Sequence, residues 1–301
     1  MATLYTHKDR NIRKTWLLMA FFLVGVVLLG WFVSLYFGNP AILYGAVAFA
    51  LILNVGSYWF SDSLVISMTG AKPADPSKDR ELYRIVENLA ITAGLPMPKL
   101  YIVEDAAPNA FATGRNPEHA AVAVTTGLLA ILDRTELEGV LAHELAHVSN
   151  RDMLVSTVAV VLAGFVAIIA DIFLRMSLFG GGDRDNRLGP VILVLGIIGI
   201  ILAPIAAQLI QLAVSRKREY LADASGALLT RYPEGLASAL EKISAHSVPM
   251  RRASHATAHL FISDPFGGEG KRSIGQKISG LFATHPPAAD RVRILRGMEV
   301  E

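Results

Sequence analysis

The sequence predicts a mainly α-helical membrane protein, with four transmembrane helices and an α+β domain that contains a small sheet. Of the 301 residues, 52% are hydrophobic, and the mean hydropathy is +0.44. This composition is too apolar for a soluble domain, whose surface must be mostly polar. The 28 basic and 26 acidic residues nearly balance, so the charge indicates no nucleic-acid partner.

Four apolar stretches reach the ~20 residues that a helix needs to cross the hydrocarbon core of a bilayer. They are residues 15–37, 40–60, 153–174 and 190–214. The first two are joined by so short a turn that they must form an antiparallel hairpin. The first stretch is too long for a signal peptide and lacks a small-residue cleavage site, which favours a membrane anchor. The third and fourth either cross fully or enter the membrane as a hairpin.

Basic residues predict the orientation in the membrane. They precede the first span and follow the fourth: Lys8, Arg10, Arg13, Lys14, Arg216, Lys217 and Arg218. The positive-inside bias therefore places both ends in the cytoplasm. We expect a multi-pass protein of the inner or plasma membrane, in contact with the lipid bilayer. Its parts are an N-terminal transmembrane hairpin (1–60), a discontinuous cytoplasmic domain (61–153 and 215–301) and an inserted transmembrane hairpin (154–214).

Periodicity and turn residues predict the elements of the cytoplasmic domain. Helices are expected over 78–93, 216–230 and 234–244, strands over 99–103 and 120–125, a loop or hairpin over 104–119, and a polar surface segment over 248–280. Thr135 and Glu138 have the spacing of a capping box. A further helix should therefore begin there.

That helix carries a motif with metal-ligand spacing, His143-Glu144-Leu145-Ala146-His147. Histidines four residues apart lie on one helical face and can bind one cation, with Glu144 close enough to act as a general base. The chain has no cysteine, so thiolate ligands are excluded. A surface helix with two histidines by chance is the alternative. Apolar neighbours argue against it: Val140, Leu141, Leu145, Ala146 and Val148.

A zinc site requires a third protein ligand, and the sequence offers one directly after the fourth span. Glu219 is the predicted ligand. Asp223 follows four residues later on the same helical face, where it can accept the ring N–H of a ligating histidine. The alternative interpretation of each residue, taken alone, is a solvent-exposed carboxylate on a charged helix. The pairing with the histidine motif favours the metal site.

Together these motifs resemble the HtpX heat-shock metalloproteases and, more distantly, the zinc-dependent CaaX prenyl proteases. The resemblance extends over nearly the whole chain and includes the two N-terminal spans. Further matching motifs are Asn109-Ala110-Phe111-Ala112-Thr113-Gly114 and Thr284-His285-Pro286-Pro287 followed by Arg291. It implies a gluzincin-like metalloprotease domain with one zinc ion per chain.

The resemblance also implies a function in protein quality control under stress. An endopeptidase of this kind cleaves unfolded, misfolded or damaged membrane proteins at the cytoplasmic side without ATP. Asn109, Ala110 and Phe111 are expected to hold substrate in an extended pose. His285 and Arg291 are expected near the zinc, where they would stabilise a developing oxyanion.

Two other functions remain possible from the sequence. Intramembrane metalloproteases carry the same motif within an apolar span, whereas polar residues flank it here. A non-catalytic adaptor stabilised by zinc has no use for Glu144, which is not a ligand. No nucleotide partner is predicted, because Gly270-Lys271 lacks the following hydroxyl of a phosphate-binding loop.

Overall fold

The computed structural model of the chain describes residues 4–179, 216–254, 257–267 and 286–298. Its elements are mainly helical, with a small mixed sheet whose strands lie between the third and fifth helices in the chain. In chain order they are α1 Leu4–Phe37, α2 Ala41–Trp59, α3 Ser61–Thr69, β1 Lys72–Pro73, α4 Arg80–Ala93, β2 Lys99–Val103, β3 Ala110–Thr113, β4 Ala121–Thr125, α5 Thr126–Ile131, α6 Arg134–Ser149, α7 Asp152–Phe179, α8 Arg216–Thr230, α9 Pro233–Ala245 and α10 Ala288–Arg296.

The predicted N-terminal hairpin is present as α1 and α2. Among the described residues, 9–35 and Ala41–Trp59 are each helical, long enough and apolar enough to cross a membrane. Their turn is closed by the hydroxyl of Ser34, which donates to the carbonyl oxygen of Asn39 at 2.9 Å. Gly38 has a φ of +63°, a conformation that a residue without Cβ adopts at low cost. The chain is therefore a membrane protein with two candidate spans near its N-terminus.

Four complete spans are not confirmed. Helix α7 includes the predicted third span, but residues 152–166 pass the length and composition test only together with α6, from which they bend by 82°. This first part of α7 is largely buried against other helices, with Val158, Ala159 and Leu162 inaccessible to solvent. The predicted fourth span, 190–214, lies outside the described residues.

The sheet has the strand order β1-β2-β4-β3. Strand β2 pairs in parallel with β4, while β1 and β3 pair antiparallel with their neighbours. Strands β2 and β4 agree with the predicted strands. The expected loop or hairpin at 104–119 contains β3, a strand too short for its alternation to be recognised. Because β3 is an outer strand of this sheet, one of its edges pairs with no strand among the described residues.

Helix α6 lies in the centre of the soluble core and packs against α4, α8 and α9. Its N-terminal cap differs from the predicted one. Asp133 accepts the N–H of Glu136, and the Glu136 carboxylate accepts the N–H of Asp133. Glu136 also binds Ser238 and Lys242 of α9, so tertiary contacts select this cap over Thr135 and Glu138. The capping box consequently lies two residues earlier than predicted.

The prediction of a polar surface segment over 248–280 is wrong for part of its described residues, because 257–262 are buried, whereas four residues of 248–254 are exposed as predicted. Phe261 is only 1% exposed, and its ring contacts the ring of Phe111 edge to face with centroids 5.1 Å apart. Ile262 is also buried and donates its N–H to the carbonyl oxygen of Ala110. The average polarity of the long segment concealed a short apolar run that packs into the core.

Two glycines allow close helix contacts around α6. A Cβ at Gly226 of α8 would lie 2.9 Å from the backbone nitrogen of His143, and a Cβ at Gly139 would lie 2.6 Å from the backbone nitrogen of Leu236. Such approaches are shorter than a Cβ tolerates, and backbone atoms cannot move away as a flexible side chain can. The absence of a side chain therefore determines how close α8 and α9 come to α6.

We expect Gly226→Ala to destabilise the protein by about 1–3 kcal/mol, because the added methyl group forces α8 away from α6. The measurement is the apparent Tm of the purified protein in detergent. Gly45→Ala is the matched control, since this helical glycine has no atom within 4 Å of a built Cβ. An equal Tm for Gly226→Ala and wild type would show that the contact between these helices tolerates a methyl group.

Candidate metal centre

Three predicted ligands from two helices converge at one point. His143 and His147 extend from α6, and Glu219 extends from the first turn of α8. The two histidine Nε2 atoms are 3.2 Å apart. The Glu219 carboxylate oxygens lie 3.8 Å from Nε2 of His143 and 3.6 Å from Nε2 of His147. The ligand atoms thus face one another although Glu219 is 72 residues from His147 in the chain.

This spacing fits a metal ion of the size of zinc. Ligands about 2.1 Å from a tetrahedral ion lie roughly 3.4 Å from one another. The separations between the ligand atoms, from 3.2 to 3.8 Å, bracket that value. Two nitrogen lone pairs and a carboxylate would repel one another without a cation or a proton between them. The donor set of two imidazoles and one carboxylate can therefore hold a metal.

Each histidine is oriented by a carboxylate on the far side of its ring. Nδ1 of His143 is 2.9 Å from Asp223, and Nδ1 of His147 is 3.3 Å from Asp152. A carboxylate at Nδ1 holds the proton there and leaves the Nε2 lone pair for the metal.

The sequence reasoning did not assign a site role to Asp152. Arg151 has a φ of +55° where the chain turns between α6 and α7. This turn brings Asp152 back towards His147. The only signal in the sequence was its position shortly after the motif. On a continuous helix, a residue five positions after His147 would not lie beside the His147 ring.

Arg291 lies behind Asp223 and is 1% exposed. Its Nε and Nη2 donate to the two carboxylate oxygens of Asp223 at 2.9 and 2.6 Å, and its Nη1 donates to the carbonyl oxygen of Ile262 at 3.3 Å. Such a two-point bond fixes both groups. The arginine therefore supports the carboxylate that orients His143. Contact with a developing oxyanion stays a prediction, and His285 lies outside the described residues.

Glu144 is 1% exposed beside the ligands. Burial raises the pKa of its carboxyl to about 7; the positive charges of His147 and Arg291 oppose the rise, and the charge of Glu219 adds to it. The backbone N–H of Ala112 in β3 also faces this carboxyl and lowers its pKa. Glu144 thus lies between the metal ligands and the outer strand of the sheet.

The two histidines have opposite pKa shifts before a metal binds. Burial lowers the pKa of His143 to about 4, although Asp223 opposes the change. Burial by itself also lowers the pKa of His147, but the bond to Asp152 and the charges of Glu219 and Glu144 outweigh it and raise the pKa to about 9. The carboxylates around His147 make its position favourable for positive charge.

The three residues expected to hold substrate lie where β3 begins. Asn109, Ala110 and Phe111 are all buried. The Asn109 side chain donates to the carbonyl oxygen of Ser263 at 3.0 Å, and the carbonyl oxygen of Ala110 accepts the N–H of Ile262 at 2.9 Å. The structure therefore brings this edge close to Glu144, with residues of the chain's own C-terminal part along it.

The sequence matches the family model described as Peptidase family M48 over residues 76–299. The chain belongs to this peptidase family. It is 45% identical over 305 residues to a "Protease HtpX homolog" of Caldanaerobacter subterraneus subsp. tengcongensis, with 99% of each chain covered. It is 48% identical over 290 residues to a protein of the same description from Pyrococcus furiosus, with 96% of each covered. The resemblance to the HtpX proteases is confirmed, and with it a metalloprotease that requires a metal.

A solved structure from the same comparisons supports the fold. The crystal structure of S. mikatae Ste24p matches with a TM-score of 0.51 and 17% sequence identity, and the match covers 97% of this chain and 67% of that one. At this identity the likeness concerns only the fold. It agrees with a mainly helical fold that contains a small sheet.

We expect Glu219→Ala to lose most of its bound metal, because two imidazoles alone leave the ion with too few protein ligands. Elemental analysis of the purified protein measures this directly. The control is Glu81→Ala, which removes an exposed carboxylate of α4. Full metal occupancy in Glu219→Ala would remove this residue from the set of ligands.

Proposed function

We propose that the protein is a membrane-bound, zinc-dependent endopeptidase that cleaves misfolded or damaged membrane proteins at the cytoplasmic side without ATP. The observation that carries the proposal is the convergence of His143, His147 and Glu219 with a buried Glu144 beside them. A site that only stabilises the fold is closed by a fourth protein ligand and needs no additional carboxylate that is not a ligand.

Zinc is the metal that this donor set favours. Nitrogen from two imidazoles and oxygen from one carboxylate form the ligand set of hydrolytic zinc sites, which leave one coordination position open. Calcium and magnesium prefer sites made of oxygen. The sequence has no cysteine, so the thiolates that are typical of structural zinc sites are not available as ligands. The donor set therefore favours a hydrolytic over a structural zinc site.

Glu144 supplies the proton transfers of the proposed reaction. Zinc held by His143, His147 and Glu219 would supply Lewis-acid chemistry, the polarisation of the peptide carbonyl and the acidification of water. Glu144 takes up the proton of the attacking water and then donates it to the leaving amine. Meanwhile Asp223 and Asp152 keep His143 and His147 in their orientations. We assign to His285 and Arg291 the stabilisation of the developing oxyanion, with Arg291 also holding Asp223.

The edge of β3 is the proposed binding site for substrate. An extended peptide pairs with a strand edge through main-chain hydrogen bonds and needs few side-chain preferences. Pairing at Ala110 requires the substrate to replace the bond from Ile262. A site that accepts only extended segments acts on chains that are already unfolded. ATP-driven unfolding is then unnecessary.

The membrane arrangement is part of the proposal. Residues 1–60 form one transmembrane hairpin and 154–214 a second, and the catalytic domain of 61–153 and 215–301 lies in the cytoplasm. Helix α6 departs from the direction of α7 by 82°. Because of this bend, α6 does not continue along the apolar helix α7. The bend therefore favours a metal site at the membrane surface over one within the membrane.

We expect Glu144→Gln to retain zinc and to lower the cleavage of an unfolded model protein at least about 100-fold, because the amide cannot take up the proton. Chelation of zinc from wild type should have the same effect on activity. Glu138→Gln is the matched control, since it lies on the same helix at a partly exposed position. Unchanged turnover by Glu144→Gln would refute its role as general base.

The orientation can be tested directly because the chain has no cysteine. A membrane-impermeant maleimide should label Asn39→Cys, between α1 and α2, in intact cells. It should label Ser77→Cys only after the cells are permeabilised. Both positions are exposed. The reverse labelling pattern would place the catalytic domain on the outer side.

A further inference from the structure

The first membrane helix contributes a buried polar side chain to the surroundings of the metal centre. Asn11 lies on α1, near the end that the basic residues place in the cytoplasm, and is 2% exposed. Its Nδ2 donates to Oδ1 of Asp152 at 2.6 Å and to the carbonyl oxygen of Asn150 at 3.0 Å. These bonds join α1 to the turn between α6 and α7, which is about 140 residues away in the chain.

The bonds to Asp152 come from both sides of its carboxylate. Oδ1 receives Asn11 and lies 3.3 Å from Nε of Arg218, whereas Oδ2 faces Nδ1 of His147 at 3.3 Å. Asp152 is 3% exposed and Arg218 is 5% exposed. Burial of a carboxylate is costly unless it is paired and hydrogen-bonded, and Asp152 has a partner at each oxygen. The position of Oδ2, which faces His147, therefore depends on the contacts of Oδ1 with Asn11 and Arg218.

Apolar packing holds α1 in position for this contact. About two and three turns beyond Asn11, the side chains of Leu18 and Phe22 pack in a common cluster with Leu154, Val158 and Leu162 of α7. Asn11 is thus supported by a helix pair that cannot shift without opening apolar contacts. A polar residue so placed has less rotational freedom than one on a loop.

We propose that Asn11 is a positioning residue of the metal centre, which holds Asp152 so that this carboxylate orients the ligand His147. The N-terminal membrane helix is then a structural part of the site as well as an anchor. The inference rests on the proposed function insofar as that function supplies the metal, and it concerns metal affinity rather than cleavage. Residues that orient a ligating imidazole commonly change metal affinity by about 10- to 100-fold.

The test uses the full-length protein in detergent, stripped of metal and titrated with Zn²⁺ against a chromophoric chelator. Asn11→Leu should weaken zinc binding about tenfold. Thr15→Val is the matched control, because Thr15 lies one turn further on the same helix, is 1% exposed and donates only to the carbonyl oxygen of Asn11. Its zinc affinity should stay within about twofold of wild type. Equal affinities for Asn11→Leu and wild type would overturn the proposal.

A second measurement separates positioning from general destabilisation. Because Asn11 acts through Asp152, zinc affinity in Asn11→Leu/Asp152→Asn should equal that of Asp152→Asn alone. Additive losses would overturn the proposed order of action. The visible spectrum of bound Co²⁺ should shift in Asn11→Leu and not in Thr15→Val, since the spectrum reports ligand geometry. An unshifted spectrum would contradict a role at His147.

Folding and activity serve as independent checks. Asn11→Ala, which adds no bulk, should reproduce the loss of affinity with an unchanged elution profile and far-ultraviolet spectrum. If neither variant folds, Asn11 supports the fold and the proposal fails. If wild type binds zinc tightly but cleaves no protein, the proposed function fails while the affinities still decide the role of Asn11. A wild type without zinc affinity would refute both.

Discussion

The close contact between α6 and α8 is the constraint on which the metal centre depends. Two proposed ligands and the proposed general base belong to α6, and the third proposed ligand belongs to α8. Gly226 allows the backbone of α8 to approach that of α6 at His143. A metal site requires its ligands within a few tenths of an ångström of their bonding positions. The small residue at the crossing is therefore as much a part of the site as the ligands are.

The second feature of the centre is the way in which buried charge is compensated. His143, Glu144, Asp152, Asp223 and Arg291 are all nearly inaccessible to water. Charges in such a place are costly unless each has a partner. Here Arg291 pairs with Asp223 and Arg218 with Asp152, and each pair supports one histidine. Each of the two histidines of α6 is thus oriented by a carboxylate that is paired with an arginine, and the two pairs come from separate parts of the chain.

These supports connect the site to the whole molecule. Asp223 is held by α10, near the C-terminus, whereas Asp152 is held by α8 and by the first membrane helix. The sheet approaches from another side, where the N–H of Ala112 faces Glu144. The segment around Ile262 joins two of these parts, since it bonds to both β3 and Arg291. Displacement of this segment is accordingly coupled to the edge where substrate is proposed to bind.

The sequence by itself determined most local elements of this protein and the residues of its candidate metal site. The spacing of His143, Glu144 and His147 on one helix, the apolar lengths of α1 and α2, and strands β2 and β4 follow from local periodicity, which a sequence contains directly. Glu219 and Asp223 were also predicted, because a known chemical requirement restricted the choice. Only the tertiary structure decided the cap at Asp133, the burial of Phe261, and the contacts of Asp152 with His147 and Asn11. Each of these depends on a partner that is remote in the chain or beyond a sharp turn, and local patterns do not record which distant side chains meet.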